Sequence, residues 1–511
     1  MAAFGGPNTD ETRVGVLNGL FKEIYADNLE NLLPKGLKLQ KDIAWIEKSK
    51  SPGGTYHQPV LLQHEHGFTY AAASSGAFAL NRAVPGKTAD TTILGTQMML
   101  RSQIDYEVAA RASSAGKRTF RKALDIVVEN MFASTRKRME CDYFYGQDSL
   151  AQLRDDTPAD TDASPGQLEI TSTGDQGDST SHDDTRVQFS DATWAPGLWA
   201  GMEGAKVTAH SDSQADAGGF ADNVQTTPSG TTGGGSVAVE YRHDEVTVHG
   251  VNLNNRTVDF GAPAASAAGT DTTYQGEWQT SSDSKRPTYF AWNGAWDTSA
   301  QGANGATPNV FKGMKKIMNA PNDPLDTDLF GLNSATHSLW QGNVATGVGA
   351  MGFDVVANQI AVASAKGLDE NLILYLNPLV WTDLILQEQQ VGSAQRIQWP
   401  GNNKGQGYDL GGTDVRFHTA NGVVNIKPSN FVKIGDGFLF APKLWKRIGA
   451  TDLTFRLPDR GDEFFLHLPE NAGYELRNYV SHALFTKAPA KSVLLTGITI
   501  DFNPAIQATG A

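Results

Sequence analysis

The sequence predicts an α+β protein, with strands and helices segregated along the chain, and three observations lead there. Two strand-favouring stretches near the start flank a run of small residues, Ala71 to Asp90. A single stripe of apolar residues at helical spacing then runs for about eight turns, from Ala115 to Tyr145. Beyond Phe311 a short helix–strand–helix passage gives way to strands that continue to Ile500. At 511 residues the chain is several times longer than the roughly 100 to 200 residues of an ordinary domain, so more than one structural unit is expected.

In order along the chain, Leu17, Leu20, Phe21, Ile24 and Leu29 fall on one face of a helix that Pro34 and Gly36 stop, which predicts an N-terminal arm over residues 1–51. Ser51-Pro52-Gly53-Gly54 breaks the chain, and residues 55–70 favour strand. From Met98 the apolar residues Met98, Leu100, Ile104, Tyr106 and Val108 alternate with polar ones, predicting a half-buried strand. With the turn signal Val84-Pro85-Gly86 between them, these strands read as a long hairpin-like excursion over residues 52–109. Such a ribbon is too thin to enclose a core and needs outside support.

The helix over residues 110–147 carries Phe120, Leu124, Val127, Val128, Met131, Thr135, Met139 and Tyr143 on one stripe. Its spacing is nearer 3.6 than a heptad, so it is expected to lie on a sheet rather than in a coiled coil. The segment 148–310 is an expected insertion: acidic and loop-like from Leu150 to Asp191, rich in Gly, Ser and Thr from Ser211 to Val237 and again from Phe260 to Asn309, with strands around Val246 to Val258. Residues 311–440 predict a helix at Asp354 to Lys366, a buried strand at Leu372 to Leu376 and a helix near Leu379 to Glu388. Residues 441–511 return to strands.

Composition narrows the function. Hydrophobic residues make up 40% and charged residues 19%, which fits a globular chain. The 42 basic against 56 acidic residues give a net charge of −14, which disfavours tight DNA binding because phosphates need concentrated Lys and Arg. One cysteine, Cys141, allows no internal disulfide and no zinc ribbon. Met1 to Glu11 has no apolar signal core and no stretch reaches the roughly 18 apolar residues of a membrane span, so cytoplasmic assembly away from membranes is expected.

Local motifs point away from chemistry. Gly347-Val348-Gly349-Ala350-Met351-Gly352 matches GxGxxG, but Asn377 stands where a ribose-binding acid belongs, so a glycine-rich helix entry is the reading. His64 and His66 flank Glu65 without a third ligand, and Asp155, Asp156, Asp160, Asp162, Asp175, Asp178, Asp183 and Asp184 lack the spacing of a calcium loop. There is no GxSxG elbow.

The element order, together with Leu329-Phe330-Gly331-Leu332, Leu339-Trp340-Gln341-Gly342-Asn343, Lys366-Gly367-Leu368-Asp369-Glu370, Leu374-Tyr375-Leu376-Asn377-Pro378 and Gly473-Tyr474-Glu475-Leu476-Arg477, resembles the tailed-bacteriophage major capsid protein fold shared with encapsulins and the herpesvirus capsid floor. The order of these motifs runs over some four-fifths of the chain, with residues 150–309 fitting only as an insertion. It implies an N-terminal arm, an extended β-loop, a long spine helix, a peripheral domain and an axial domain, plus a large inserted β/loop region. It further implies a non-enzymatic protein with no cofactor and no metal, which self-assembles into hexamers and pentamers around packaged double-stranded DNA. Portal, scaffolding and decoration proteins would be further partners, and the location would be the virion, after assembly in the host bacterial cytoplasm. Tyr56, His64, His66, Phe68, Tyr70 and Lys87 are the expected intersubunit contacts. Some shells of this family are cross-linked through Lys and Asn; Lys87 lies in the loop, but no motif identifies a partner for it. The alternatives are a secreted or surface β-rich adhesin or carbohydrate-active protein, and an encapsulin-like compartment.

Overall fold

The computed structural model describes residues 38–46, 55–105 except Ser75, 117–152, 168–171, 184–212, 241–261, 289–297, 307–320, 328–391, 415–419, 422–455, 465–467 and 473–500. The arm helix expected from Leu17 to Leu29 lies outside them. The described chain is α+β, with three larger sheets gathered around one long helix.

That helix spans Lys117–Tyr145, 29 residues or about 44 Å at 1.5 Å per residue. Along its middle, Val127, Val128, Met131 and Phe132 pack with Leu100, Phe455 and Leu476, so the expected apolar stripe does lie on a sheet. Thr135 is buried on the same face and accepts a hydrogen bond from Asn478 Nδ2 at 3.0 Å. From Met139 to Gly146 every residue is buried, which an amphipathic helix face alone would not give. There the helix enters the junction of all three sheets.

The five-stranded sheet is centred on Gly473–Thr486. Thr96–Asp105 pairs with one side of that strand, and Trp445–Thr454 and Phe465–His467 follow one another along the other. Ala44–Ile46 joins the outer edge in parallel. The alternating strand expected from Met98 is therefore part of this sheet, not of the ribbon.

The six-stranded sheet runs in the order Asn343–Ala345, Val493–Thr496, Asp436–Phe440, Leu372–Leu376, Gly422–Pro428, Val415–Thr419. Leu372–Leu376 is buried throughout, as a continuous apolar run requires, with helices Phe353–Ala365 and Pro378–Val391 on either side of it in sequence. The C-terminal strand Val493–Thr496 lies inside this sheet, whereas the sequence reading grouped it with the returning strands of residues 441–511. The GxGxxG stretch has a structural role: Gly347 and Gly349 adopt φ of 62° and 69°, and a Cβ on Gly497 would meet the Gly347 backbone at 3.0 Å. Small residues let two chain segments cross here, and Gly349–Ala350 pairs in parallel with Ile498–Thr499.

The described residues of the insertion form more strand than its composition suggests. A seven-stranded antiparallel sheet forms in the order Ala151–Gln152, Tyr289–Trp292, Lys206–Asp212, Tyr241–Asn252, Thr257–Gly261, Asp184–Gln188, Leu168–Thr171. The stretch from Leu150 to Asp191, expected as a surface loop, thus contributes three of its strands. What orders them is distant pairing around an aromatic core in which Phe189 stacks on Trp199 at 4.8 Å and Phe260 on Phe290 at 5.0 Å. The insertion is also docked: Gly197 N–H donates to Asn430 O at 2.9 Å and Gly435 N–H to Ala192 O at 2.8 Å.

All three sheets meet the end of the long helix. Phe144 lies 5.2 Å from Phe438 and 5.8 Å from Tyr375 of the six-stranded sheet, while Tyr143 lies 5.3 Å from His482 of the five-stranded one. Arg138 sits 3.9 Å over the Trp292 ring of the seven-stranded sheet. A buried ionic knot completes the junction: Lys315 bridges Asp148 at 3.1 Å and Asp436 at 3.2 Å, and the fully buried Lys433 donates to Ser149 O at 2.7 Å.

Candidate functional site

Set against this interlocked body, the feature that stands apart is the ribbon. Thr55–Gln63 pairs antiparallel with Lys87–Leu94, from Thr55 opposite Leu94 to Gln63 opposite Lys87, with a bulge after Leu61. At about 3.3 Å per residue the nine-residue strand spans roughly 30 Å. Farther out, His66 and Val84 form one more antiparallel bridge, with N–H···O distances of 3.0 and 2.8 Å. Asn81 then ties the tip, its N–H donating to Thr69 Oγ1 and its Nδ2 to Phe68 O, both at 2.8 Å.

The root is fixed to the body. Ile93 is buried, Thr92 N–H donates to Phe330 O at 2.9 Å, and the Tyr56 ring lies 5.4 Å from Phe485. Strand alternation produces this: Tyr56, Gln58, Val60 and Leu62 face inward and are half-buried, whereas His57, Pro59, Leu61 and Gln63 face out. On the outer face His57 Nδ1 meets Asp90 Oδ2 at 2.8 Å, a cross-strand pair that sequence reading missed because the two residues are 33 apart.

The tip is bare. Phe68 is 71% exposed, Tyr70 91% and Leu80 80%, with Phe78 and Val84 also exposed. An isolated exposed leucine means little, but several large apolar side chains on one thin projection mark a contact surface. Of the residues expected at intersubunit contacts, Phe68 and Tyr70 lie at this tip and His64 and His66 on the exposed stem below it. Lys87 begins the returning strand, also exposed. Tyr56 is different: its ring already rests on Phe485 of the same chain, so it anchors the ribbon's root. Phe78 and Leu80 were not singled out from the sequence, where they sit among small residues with no pattern around them.

Among the described residues no group of three or more His, Cys, Asp or Glu side chains is placed to hold a metal, and no helix is long and apolar enough to cross a membrane. The aspartates from Asp155 to Asp183 lie outside the described residues.

No family model matches the chain, and no curated protein matches it in sequence. Solved structures are similar to it in arrangement. The capsid asymmetric unit of cyanophage A-1(L) is similar with a TM-score of 0.43 and 9% identity, covering 95% of this chain and 99% of that one. A structure from Mycobacterium phage Cain is similar with a TM-score of 0.37 and 10% identity, covering 96% and 100%. A shorter likeness, to an encapsulin complex from Synechococcus elongatus PCC 7942, covers 31% of this chain and 54% of that one, with a TM-score of 0.22 and 10% identity. With every one of these TM-scores below 0.5, the functional reading rests on the chain's own geometry.

Proposed function

We propose that this chain is the major shell protein of a tailed-phage head, whose copies join in hexamers and pentamers and close an icosahedral container around double-stranded DNA. The observation that carries the reading is the ribbon: rigidly rooted at Ile93, Thr92 and Tyr56, it ends in large apolar side chains that the described body leaves uncovered. A two-stranded ribbon cannot bury such residues by itself, so a neighbouring copy is the natural cover. Burying Phe68, Tyr70 or Leu80 against that neighbour stabilises the contact by roughly 1.5–3 kcal/mol each. One such contact is modest; repeated around a closed surface, it makes dissociation cooperative and slow.

The body suits the role. Its three sheets share one buried junction, so a load applied at one sheet is transmitted to the others through packed side chains rather than through a linker. The net charge of −14 keeps packaged DNA from adhering to the wall. A portal and scaffolding or decoration proteins are the further partners that such a head uses, and no side chain is assigned a catalytic role.

The test shortens the ribbon where the chain already faces itself. Residues 67–83 are replaced by an Asn-Gly turn between His66 and Val84. The expected result is a subunit with unchanged thermal melting that forms no closed shells in electron micrographs. Closed particles of normal size from this variant would overturn the reading, and wild-type particles filled with cargo protein instead of DNA would redirect it to an encapsulin-like compartment.

A further inference from the structure

Between the inward face of the first ribbon strand and the body lies a cleft of about 320 Å³. Val60 and Leu62 of the ribbon and Leu339 of the body give it an apolar side, and Lys366, Lys487 and Lys491 line the rest. No carboxylate lines it, although the chain carries 56 acidic residues against 42 basic ones. The three lysines come from separate places. Lys366 follows helix Phe353–Ala365, Lys487 follows strand Gly473–Thr486 of the five-stranded sheet, and Lys491 ends the single helical turn Pro489–Lys491 that leads into strand Val493–Thr496. Like charges brought together from three elements repel one another unless an opposite charge answers them.

The chain supplies only part of that answer. Lys491 is paired with Asp369 at 3.2 Å and Glu370 at 3.7 Å, neither of which lines the cleft. Among the described residues no carboxylate pairs with Lys366 or Lys487. Lys366 reaches only the carbonyl of Gln341, at 3.5 Å, and burial pushes its ammonium below its ordinary pKa with no neighbouring charge to hold it up. We infer that this cleft binds a small phosphate-bearing solute, inorganic phosphate or a phosphate monoester, between the ribbon and the body. Ammonium groups act as point charges and suit a near-spherical phosphate, whereas planar carboxylates are matched by guanidinium forks, and no arginine lines the cleft. A volume of about 320 Å³ is near the lower end for small-molecule pockets, so the ligand is small, with Val60, Leu62 and Leu339 placed to cover a short apolar remainder. A DNA duplex is far too wide to enter. The site needs only the folded chain and stands independently of the shell reading.

Calorimetric titration of the full-length chain tests the site, with inorganic phosphate or phenyl phosphate added at constant ionic strength and about pH 7.5, where a phosphate is mostly dianionic. The expected result is saturable binding of one ligand per chain. Lys366→Gln/Lys487→Gln should melt like the wild type without ligand and bind about tenfold more weakly or worse, since two charge-assisted hydrogen bonds are lost. Lys487→Gln alone, an exposed substitution that leaves the fold untouched, should fall between the two. Lys443→Gln, exposed and outside the cleft, keeps the wild-type affinity. Heats that do not saturate, or an affinity that Lys487→Gln and Lys443→Gln share with the wild type, overturn the site. Binding of a short single-stranded oligonucleotide with no response to phosphate or phenyl phosphate overturns it too, because the ligand is then a nucleic-acid strand and not a small solute.

Discussion

Glu140, buried in the last turns of the long helix, accepts the backbone N–H of Leu39 at 2.8 Å and so caps a short helix that lies 101 residues earlier in the chain. Gln40 N–H approaches the other carboxyl oxygen at 3.4 Å, and Asp42 of the same turn bonds Lys427 at 2.8 Å and the Tyr375 hydroxyl. The arm segment is thereby stitched to helix and six-stranded sheet before it joins the five-stranded sheet at Ala44.

Burial pushes the Glu140 carboxyl up to about 8, against the backbone N–H groups of Leu39, Gln40 and Lys38 and the charge of Arg447, which favour its ionised form. The folded state therefore holds this proton more tightly than the unfolded chain, whose carboxyl titrates near 4.5. Its contribution to stability is complete below pH 4.5 and declines as pH rises toward 8. Glu140→Gln mimics the protonated acid. Thermal melts of the subunit at pH 5 and pH 8.5 should show the variant gaining on the wild type as pH rises; a constant difference would contradict this.

His482 gives the opposite slope. Its ring lies between Tyr143 at 5.3 Å and Phe311 at 4.9 Å, and neither nitrogen has a hydrogen-bond partner among the described residues. Burial, helped by the Arg447 charge, holds the imidazole down at about 3, from an ordinary value of 6.5. The unfolded chain takes up the proton first, so stability present above pH 6.5 is lost as pH falls toward 3. His482→Phe should raise stability at pH 7 by roughly 1–3 kcal/mol, the cost of an unsatisfied buried polar group, and by more at pH 4.5. Equal melting of the two proteins at pH 4.5 would show that the imidazole has a partner in solution.

Much of this architecture is legible in the sequence where the signal is local. The long helix declares itself through a stripe that needs no distant information, and Leu372–Leu376 through an unbroken apolar run. The returning ribbon strand Lys87–Leu94 does not: Lys-Thr-Ala-Asp-Thr-Thr has little apolar alternation, and what makes it a strand is its ladder to Thr55–Gln63. The seven-stranded sheet is hidden for the same reason, since Ala151 pairs with Phe290 across an intervening span that is mostly polar. At the candidate site, Phe68 and Tyr70 are readable as apolar residues next to a strand. That Phe78 and Leu80 join them at the tip depends on the Asn81 hydrogen bonds that close the loop.

The ionic knot should be costly to break from one side. Asp148 loses hydration on burial, but Lys315 and Lys433 outweigh that and hold its carboxyl down at about 2. Lys433, desolvated and facing Lys315, is itself lowered to about 8. Asp148→Ala leaves the buried Lys433 ammonium and the half-buried Lys315 ammonium with Asp436 alone, and denaturant unfolding should register a loss of roughly 3 kcal/mol. Adding Lys433→Met to that variant should recover part of the loss, since the uncompensated charge goes with it. A double variant no more stable than the single one would place the cost in packing.

Gly146 permits the closest approach in the junction. A Cβ there would sit 2.3 Å from Phe311 O and 2.7 Å from Asp142 O, where Gly313 N–H donates to Gly146 O at 2.8 Å. Gly146→Ala must push the helix end away from residues 311–313, and a loss of roughly 1–3 kcal/mol or more is expected in chemical denaturation. Gly76→Ala in the ribbon tip, where an added Cβ meets nothing within 4 Å, should leave stability unchanged and serves as the control.

The same contrast between body and ribbon gives the sharpest separation of folding from assembly. Tyr70 and Leu80 are 91% and 80% exposed, so Tyr70→Ser/Leu80→Ser removes almost no contact within the subunit, and its unfolding free energy should lie within about 0.5 kcal/mol of wild type. Between subunits the same substitutions delete apolar area that a neighbour would cover, at roughly 1.5–3 kcal/mol for each large side chain, at every copy of the contact. Sedimentation at matched protein concentration should therefore show the variant as free subunits or small rings where the wild type runs as particles. If instead the variant assembled normally, the exposed tip would be ordinary surface; if it unfolded early, the tip would be packed onto its own body.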